Sequence, residues 1–495
     1  MTRRQIPAQS EPENAPSPAR YPVRSLRGLA TASSPHPPTF SSAVIPPMSF
    51  PTSTTQIYPI EDFKKKKISC ICADLLIPGR GEPMKKAAAV LEEGKIAFVG
   101  AQSDIPEKYK AAPCTHVPVL LPGLWDCHTH FSGGDNSDPA DFILPDKATC
   151  GANLARSFHD TLMAGFTSVR DVGSFAIEAH KAVERGTIYG PHVYGAGAVL
   201  TQTAGHGDVF QMPVGVVWRM FGTSLDAMSE SNGASMMCMA DGVDECRKAV
   251  RLQIRRGASL IKVLASGGVL SRDDDPLFQQ FSDEELKVIV EEAGRMNRSV
   301  AAHVHGKDGC MAALRAGCHT LEHGSYLDDE AMDIMIEKGV MLIATRTIVE
   351  EGMAHLDLLG PEQRRKMIQV AELGKKMYAR AIKKGVKCAL GTDLGISTPN
   401  VPFAHGTNAR ELYYAVEAGM TPLQAIEAAT ASAPATLGKM APLSGQIKEG
   451  YDADVIALCC NPLEDIKVFQ DPENITHVWK AGKISKGSGA RFGFP

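Results

Sequence analysis

Long apolar runs are missing from this chain. No stretch of about 18 uninterrupted apolar residues occurs among its 495 residues, so we expect no transmembrane helix and no membrane partner. An excess of positive charge is also missing, because 52 Lys and Arg residues face 56 Asp and Glu residues. Aromatic residues make up only 6% of the chain. Since the sequence shows neither a basic patch nor an aromatic stacking motif, we expect no nucleic-acid partner.

Cysteine motifs are missing although cysteines are present. The chain has 12 cysteines, and none of them forms a Cys-x-x-Cys pair, so we expect no thiolate zinc site. We expect reduced, mostly buried thiols rather than a disulfide framework. That usage is typical of an intracellular protein, either cytoplasmic or mitochondrial.

The first 60 residues differ in composition from the rest of the chain. Prolines, serines and threonines are frequent, the basic residues are all arginine, and only Glu11 and Glu13 are acidic. Such a stretch cannot bury enough apolar surface to offset its chain entropy, so we predict a disordered extension over residues 1–60. Its composition resembles a mitochondrial transit peptide. The alternative is a dispensable extension, with translation starting at Met48.

Short apolar runs alternate with helical stretches through residues 119–440. Ser282 to Glu285 forms a capping box, which predicts the start of a helix that continues to Met296. Eight strand candidates alternating with helices predict a parallel (β/α)8 TIM-like barrel. The eight strand candidates are residues 119–126, 166–171, 192–197, 260–264, 299–303, 320–322, 340–344 and 388–391.

Both ends of the globular part carry short strands and turns. Residues 87–100 indicate a hairpin that turns at Glu93-Gly94, and residues 477–483 indicate another. We therefore predict an α/β protein in which residues 61–118 and 441–495 together form a small β-sandwich beside the barrel. Residues 200–245 interrupt the alternation, and we predict an inserted loop over the barrel mouth. A mobile surface excursion is the alternative.

His128 and His130 lie two residues apart at the end of the first predicted barrel strand. Residues two apart on a strand point to the same face, so both imidazoles can bind one metal ion. A His-x-His pattern is a weak signal by itself. Any single histidine can be an ordinary buried core residue, and a single aspartate can be a helix cap. The joint signal is stronger, since strand ends of a barrel converge on one mouth. The further candidates at predicted strand ends are Lys262, His303, His305, His323 and Asp393.

Lys262 is unusual because it lies inside an apolar strand. A charged lysine that is buried without a partner is costly, and burial lowers its pKa, so the neutral amine becomes accessible. A neutral amine can add carbon dioxide to form a carbamate, whose two oxygens can bridge two metal ions. The alternative is an ammonium group that extends to solvent or pairs with a carboxylate.

Over residues 68–485 the chain resembles the amidohydrolase superfamily. The resemblance rests on residues 122–130, Lys262, His303, His323, residues 391–393 and residues 450–454. Residues 301–306 and 204–208 are similar to the imidazolonepropionase-related branch in particular. That branch includes prolidase-like dipeptidases and the fungal ochratoxin-hydrolysing amidase.

The resemblance implies a binuclear zinc centre. One ion would be held by His128, His130 and Asp393, and the other by His303 and His323, with carboxylated Lys262 between them. His206 and Asp208 would be substrate-loop residues, and His305 would either face the substrate or pack behind the site. Arg170, Asp171 and Tyr194 are further candidates for the barrel mouth.

The resemblance also implies hydrolysis of an amide bond by a metal-bridging hydroxide, with Asp393 accepting the proton. We expect a C-terminal amino acid to be released from a dipeptide, an N-acyl amino acid or an ochratoxin-like amide. Cyclic amide hydrolysis or ring deamination is the alternative. Loops within residues 200–245 and 345–385 would set specificity, and we expect a homo-oligomer.

Overall fold

The computed structural model describes residues 68–135, 146–224 and 235–488, which lie in one unit, Lys64–Pro495. The extension predicted over residues 1–60 therefore lies outside the described residues. In chain order the strands are β1 (Ile68–Leu76), β2 (Met84–Glu92), β3 (Lys95–Ala101), β4 (Cys114–Pro122), β5 (Leu124–Thr129), β6 (Phe166–Asp171), β7 (His192–Gly195), β8 (Val199–Thr201), β9 (Met237–Met239), β10 (Leu260–Leu264), β11 (Ser299–Val304), β12 (Thr320–His323), β13 (Met341–Ile343), β14 (Val455–Leu458), β15 (Ile475–Lys480) and β16 (Lys483–Lys486).

Helices occupy most of the connections between the barrel strands. The predicted capping box is confirmed, because Ser282 precedes α5 and exchanges hydrogen bonds with Glu285. Within the described ranges, no helix is both long enough and apolar enough to span a membrane. In chain order the α-helices are α1 (Lys147–Met163), α2 (Ala176–Glu184), α3 (Val214–Phe221), α4 (Gly242–Arg256), α5 (Asp283–Arg295), α6 (Lys307–Ala316), α7 (Asp329–Lys338), α8 (Arg346–Ala354), α9 (Pro361–Lys384), α10 (Arg410–Glu417) and α11 (Pro422–Ala428).

Strands that precede and follow the barrel in sequence form one seven-stranded sheet, in the order β16-β15-β14-β4-β1-β2-β3. The pairing of β1 with β4 is parallel, and the other pairings are antiparallel. Ile71, Val455 and Trp479 belong to one buried apolar cluster, so the segments before and after the barrel share a core. The predicted hairpins are confirmed, and both turns use positive φ angles, at Glu93-Gly94 and at residues 481–482.

The strand predicted over residues 119–126 is two strands. β4 ends at Pro122 in the seven-stranded sheet, and β5 begins at Leu124 in the barrel. A Cβ atom at Gly123 would lie only 2.0 Å from Thr167 Oγ1, so only glycine fits where the chain crosses from one sheet to the other.

The barrel is the predicted (β/α)8 TIM-like arrangement. β5, β6 and β7 form one parallel group, and β10 to β13 form another. Residues 387–390 join the groups, because Leu342 N donates to Lys387 O at 2.9 Å and Cys127 N donates to Leu390 O at 2.8 Å. On the other side, Ser259 N donates to Gly195 O at 2.8 Å.

The segment predicted as a loop over residues 200–245 has internal structure. β8 and β9 pair in parallel and extend the barrel sheet next to β10, and α3 lies between them in sequence. Residues from this segment line the cavity at the barrel mouth, as predicted. Residues 225–234 lie outside the described ranges.

Candidate metal centre

Ligand-type side chains from five positions around the barrel meet at its carboxyl end. They come from the ends of β5, β10, β11 and β12 and from the turn after residues 387–390. All of them line one cavity of about 460 Å³. The converging residues are His128, His130, Lys262, His303, His323 and Asp393.

His128, His130 and Asp393 form the tightest group. Asp393 Oδ1 lies 3.2 Å from His128 Nε2 and 3.1 Å from His130 Nε2. One ligand atom from each of the three residues lies within 4.8 Å of the others. The backbone fixes this approach, because Asp393 N donates to His128 O at 2.7 Å.

The outer ring nitrogens of both histidines already have acceptors. His128 Nδ1 lies 2.7 Å from the carboxylate oxygen Oε2 of Glu322, and His130 Nδ1 lies 2.9 Å from Gly173 O. These acceptors require the proton on Nδ1, which leaves the Nε2 lone pairs facing Asp393. Two imidazole lone pairs and a carboxylate oxygen therefore converge, and this donor set suits a divalent ion such as zinc.

His303 and His323 form a second group. Their ring centroids lie 4.6 Å apart, and Asp393 Oδ2 lies 3.9 Å from His323 Nδ1. His303 Nε2 donates to Gly267 O at 3.2 Å, which leaves its Nδ1 as the ligand atom. Burial holds the pKa of both imidazoles well below the ordinary value. Both rings are therefore neutral, as metal ligation requires.

The Lys262 side chain lies beside His128 and lines the same cavity. Its Nζ is 3.2 Å from His128 Nε2, and only 2% of the residue is exposed. Burial lowers the pKa of its amine to about 8, although Glu322 and Asp393 oppose that shift. The side chain does not extend to solvent, and its neutral amine is accessible near neutral pH.

Three residues at the site adopt strained backbone conformations. His323, Thr345 and Asp393 have φ angles of 67°, 47° and 65°, in the left-handed region that few side chains favour. Thr345 Oγ1 lies 2.7 Å from His323 Nδ1, so two of these residues contact each other. Such strain is costly, and it concentrates where function fixes side-chain direction.

A buried ion pair below the histidines was not anticipated from the sequence. Arg170 and Glu322 are fully buried, and Arg170 Nη2 lies 2.7 Å from both carboxylate oxygens of Glu322. Arg170 was a candidate for the barrel mouth, but it supports Glu322 and through it His128. The sequence signal was a charged residue inside each of two predicted strands, as at Lys262.

The other two candidates for the barrel mouth, Asp171 and Tyr194, contact neighbouring residues of the barrel instead of the cavity. Asp171 accepts hydrogen bonds from Phe131 N at 2.8 Å and from Ser174 Oγ at 2.7 Å. Tyr194 stacks on Trp125, with ring centroids 5.0 Å apart. Neither residue lines the cavity described above.

The structure places His206, Asp208 and His305 on the cavity wall. The His206 ring stacks on His303 at a centroid distance of 4.5 Å. His305 Nδ1 lies 2.8 Å from Ser325 Oγ, and its ring stacks on His323 at 5.0 Å. Asp208 accepts a hydrogen bond from the backbone N of residue 204 at 2.9 Å, which closes its own loop.

The remaining wall is largely apolar. The predicted loops contribute to it, and residues 269–272, 395, 396 and 403 contribute as well, which no pattern in the sequence indicated. Two exposed cations, Lys147 and Arg272, also line the cavity. The apolar lining side chains include Val209, Met220, Phe221, Val269, Ile348, Val349, Met367, Ile396 and Phe403.

Comparison with known proteins identifies relatives that span most of this chain. Residues 119–485 match the profile of a family described as the amidohydrolase family. Ochratoxinase from Aspergillus niger is 54% identical over 429 residues, covering 86% of this chain and 88% of that protein. Its crystal structure has a TM-score of 0.81 and covers 86% of this chain and 97% of that one. The crystal structure of a Xaa-Pro dipeptidase with bound methionine is 30% identical, with a TM-score of 0.72, over 85% of this chain and 100% of that one.

Proposed function

Because this chain belongs to the amidohydrolase family and is therefore a hydrolase acting on amide bonds, we propose that it is a binuclear zinc amidase. Its substrate carries a C-terminal amino acid, which the reaction releases from a dipeptide, an N-acyl amino acid or an ochratoxin-like amide. The observation that carries this proposal is the convergence of four imidazoles, a carboxylate and a buried lysine on one cavity.

His128, His130 and Asp393 would hold one zinc ion, and His303 and His323 would hold the other. When bound, the two ions would acidify a water molecule and polarise the substrate carbonyl. Lys262 would lie between them as a carbamate. Its neutral Nζ adds to carbon dioxide and releases one proton, which replaces an amine with two carboxylate oxygens.

Asp393 would move the proton. As a ligand of a divalent ion its carboxyl group would be ionised, because metal binding requires the deprotonated carboxylate. The side chain is therefore an ionised acceptor within reach of the ligand atoms. We infer that it takes the proton of the attacking water and delivers it to the leaving amine nitrogen.

The cavity wall supports a substrate with an apolar body and a carboxylate. Apolar side chains form most of the lining, and they favour aromatic or aliphatic groups on either side of the amide bond. Arg272 and Lys147 supply positive charge on the same wall, and a guanidinium pairs well with a carboxylate. A dipeptide, an N-acyl amino acid and ochratoxin A share both features.

The test is amino acid release from a panel incubated with zinc-loaded protein and bicarbonate. The panel contains dipeptides, N-acyl amino acids and ochratoxin A, each beside its C-terminal carboxamide, and mass spectrometry scores the products. We expect release from the carboxylates to exceed release from the carboxamides by at least about tenfold. We also expect Asp393→Asn to fold normally and to lose about 100-fold or more of the turnover.

Two results would contradict the proposal. Near-normal turnover of Asp393→Asn would rule out its proton transfer. No release from any member of the panel, with two zinc ions bound, would favour cyclic amide hydrolysis or ring deamination instead.

A further inference from the structure

Three cysteine thiols lie together in the seven-stranded sheet, outside the catalytic cavity. Cys70 and Cys72 are on β1, and Cys114 begins β4. The three Sγ atoms all lie within 4.8 Å of one another, and Cys72 Sγ is 3.0 Å from Cys114 Sγ. This cluster, the Cys70–Cys72–Cys114 thiol cluster, has no part in the proposed amide hydrolysis.

Strand pairing assembles the thiol cluster from distant parts of the sequence. Cys70 and Cys72 point to the same face of β1 because they lie two residues apart on a strand. The parallel register then pairs Cys70 with Cys114, which brings the third thiol to that face. Cys72 and Cys114 are 42 residues apart, so no short cysteine motif could have indicated the cluster.

The surroundings of the thiol cluster leave one open side. Cys70 and Cys72 are buried against an apolar cluster that includes Val90 and Tyr109, while Cys114 is exposed. Sulfur is a soft ligand, so three thiols favour a soft cation over a hard one such as magnesium. The cation could enter beside Cys114, which is the exposed ligand.

We propose that Cys70, Cys72 and Cys114 bind one thiophilic d10 cation of the zinc class, with a fourth position open to solvent beside Cys114. With zinc–sulfur bonds of about 2.3 Å, two sulfurs of a tetrahedral site lie about 3.8 Å apart. The 3.0 Å between Cys72 Sγ and Cys114 Sγ and the 4.8 Å upper bound lie on either side of that value. Small side-chain rotations are therefore enough to close the site.

The environment argues against an oxidation-sensitive pair. Burial raises the pKa of the Cys70 thiol to about 11 and that of the Cys72 thiol to about 12. Thiols that are protonated at neutral pH are poor nucleophiles and react slowly with oxidants. A soft cation can still bind them, because it displaces their protons as it forms metal–sulfur bonds.

The test uses cadmium as the probe, added to reduced protein whose barrel site is already loaded with zinc. Thiolate-to-cadmium charge-transfer absorption reports sulfur ligation and does not report imidazole or carboxylate ligation. We expect wild type to saturate this band at about one cadmium ion per chain. Cys114→Ser should weaken cadmium binding at least about tenfold while amide hydrolysis is unchanged.

The control is the double variant Cys459→Ser, Cys460→Ser. It removes an exposed thiol pair elsewhere, whose Sγ atoms lie 3.1 Å apart, and it should keep the wild-type band. Cys72→Ser should behave like Cys114→Ser, but Cys114 is exposed, so its variant stays informative if Cys72→Ser fails to fold. Absence of the band in wild type, its persistence in Cys114→Ser, or its loss only in the control would overturn the proposal.

Discussion

At the scale of single residues, the site depends on groups that contact no substrate. His128 can present Nε2 to the cavity because Glu322 accepts its Nδ1 proton, and Glu322 can stay ionised because Arg170 neutralises it. Burial alone would raise the pKa of Glu322, but Arg170 and His128 hold that pKa far below its ordinary value. Removing any one of the three leaves an uncompensated buried group.

We predict that Glu322→Gln damages both stability and metal binding. Arg170 would lose its buried charge partner, which costs about 3–5 kcal/mol of unfolding free energy. The orientation of His128 would weaken as well, and zinc affinity should fall about 10- to 100-fold. Urea unfolding and zinc titration measure the two effects.

Glu427→Gln is the matched control for this prediction. It breaks a glutamate–arginine pair of the same kind, with Arg80 at 2.6 Å, on an exposed surface. Exposed pairs contribute about 0–1 kcal/mol, so this variant should remain close to wild type. If Glu322→Gln matched Glu427→Gln in both measurements, the supporting role of Glu322 would be wrong.

Lys262 and the Arg170–Glu322 pair differ in how far the sequence could predict their roles at the site. Lys262 was predictable because a lysine in an apolar strand requires an explanation that burial and metal chemistry supply. The pairing of Arg170 with Glu322 was not predictable, because the two lie on different strands and only the folded barrel brings their charges together. Periodicity along one strand carries no information about which residue lies opposite on another.

At the scale of elements, strand ends position the ligands and loops position the rings around them. The ring of His206 lies against the backbone of residue 268, where a Cβ atom would be 2.0 Å from the imidazole Cε1. Glycine at this position therefore allows His206 to stack on His303. The loop after β10 and the segment after β8 therefore pack closely, through residue 268 and the His206 ring.

We predict that Gly268→Ala displaces the His206 ring and lowers kcat/KM about 10- to 100-fold. The zinc content should not change, because His206 is not in the ligand set. The control is Gly151→Ala in α1, where nothing lies within 4 Å of the added Cβ, and this variant should keep full activity. Steady-state kinetics and zinc analysis of both variants test this prediction. If Gly268→Ala kept the wild-type kcat/KM, glycine at residue 268 would not be needed to position His206.

Element boundaries followed from the sequence where local signals set them. The strand bounds predicted at 166–171 and 260–264 are those of β6 and β10, because turn-forming glycines lie within three residues of both ends of each strand. The division between β4 and β5 did not follow, because the contact of Gly123 with Thr167 determines it. β8 and β9 were missed because three-residue strands carry almost no periodic signal.

At the scale of the whole molecule, the candidate ligands come from positions all around the barrel. The strands that carry them are joined by hydrogen bonds through β13 and residues 387–390 back to β5. Ions held by residues so distant in sequence would stabilise the folded barrel only after it has closed. We therefore propose that two ions share this one site through Lys262.

The measurement that tests this claim most directly is the zinc content per chain of wild type and Lys262→Ala, prepared in parallel. Lys147→Ala serves as the control, because Lys147 lines the same cavity but lies outside the ligand set. We predict about two zinc ions per chain for wild type and for the control, and about one or fewer for Lys262→Ala. Two zinc ions retained by Lys262→Ala, or no more than one in wild type, would contradict the account.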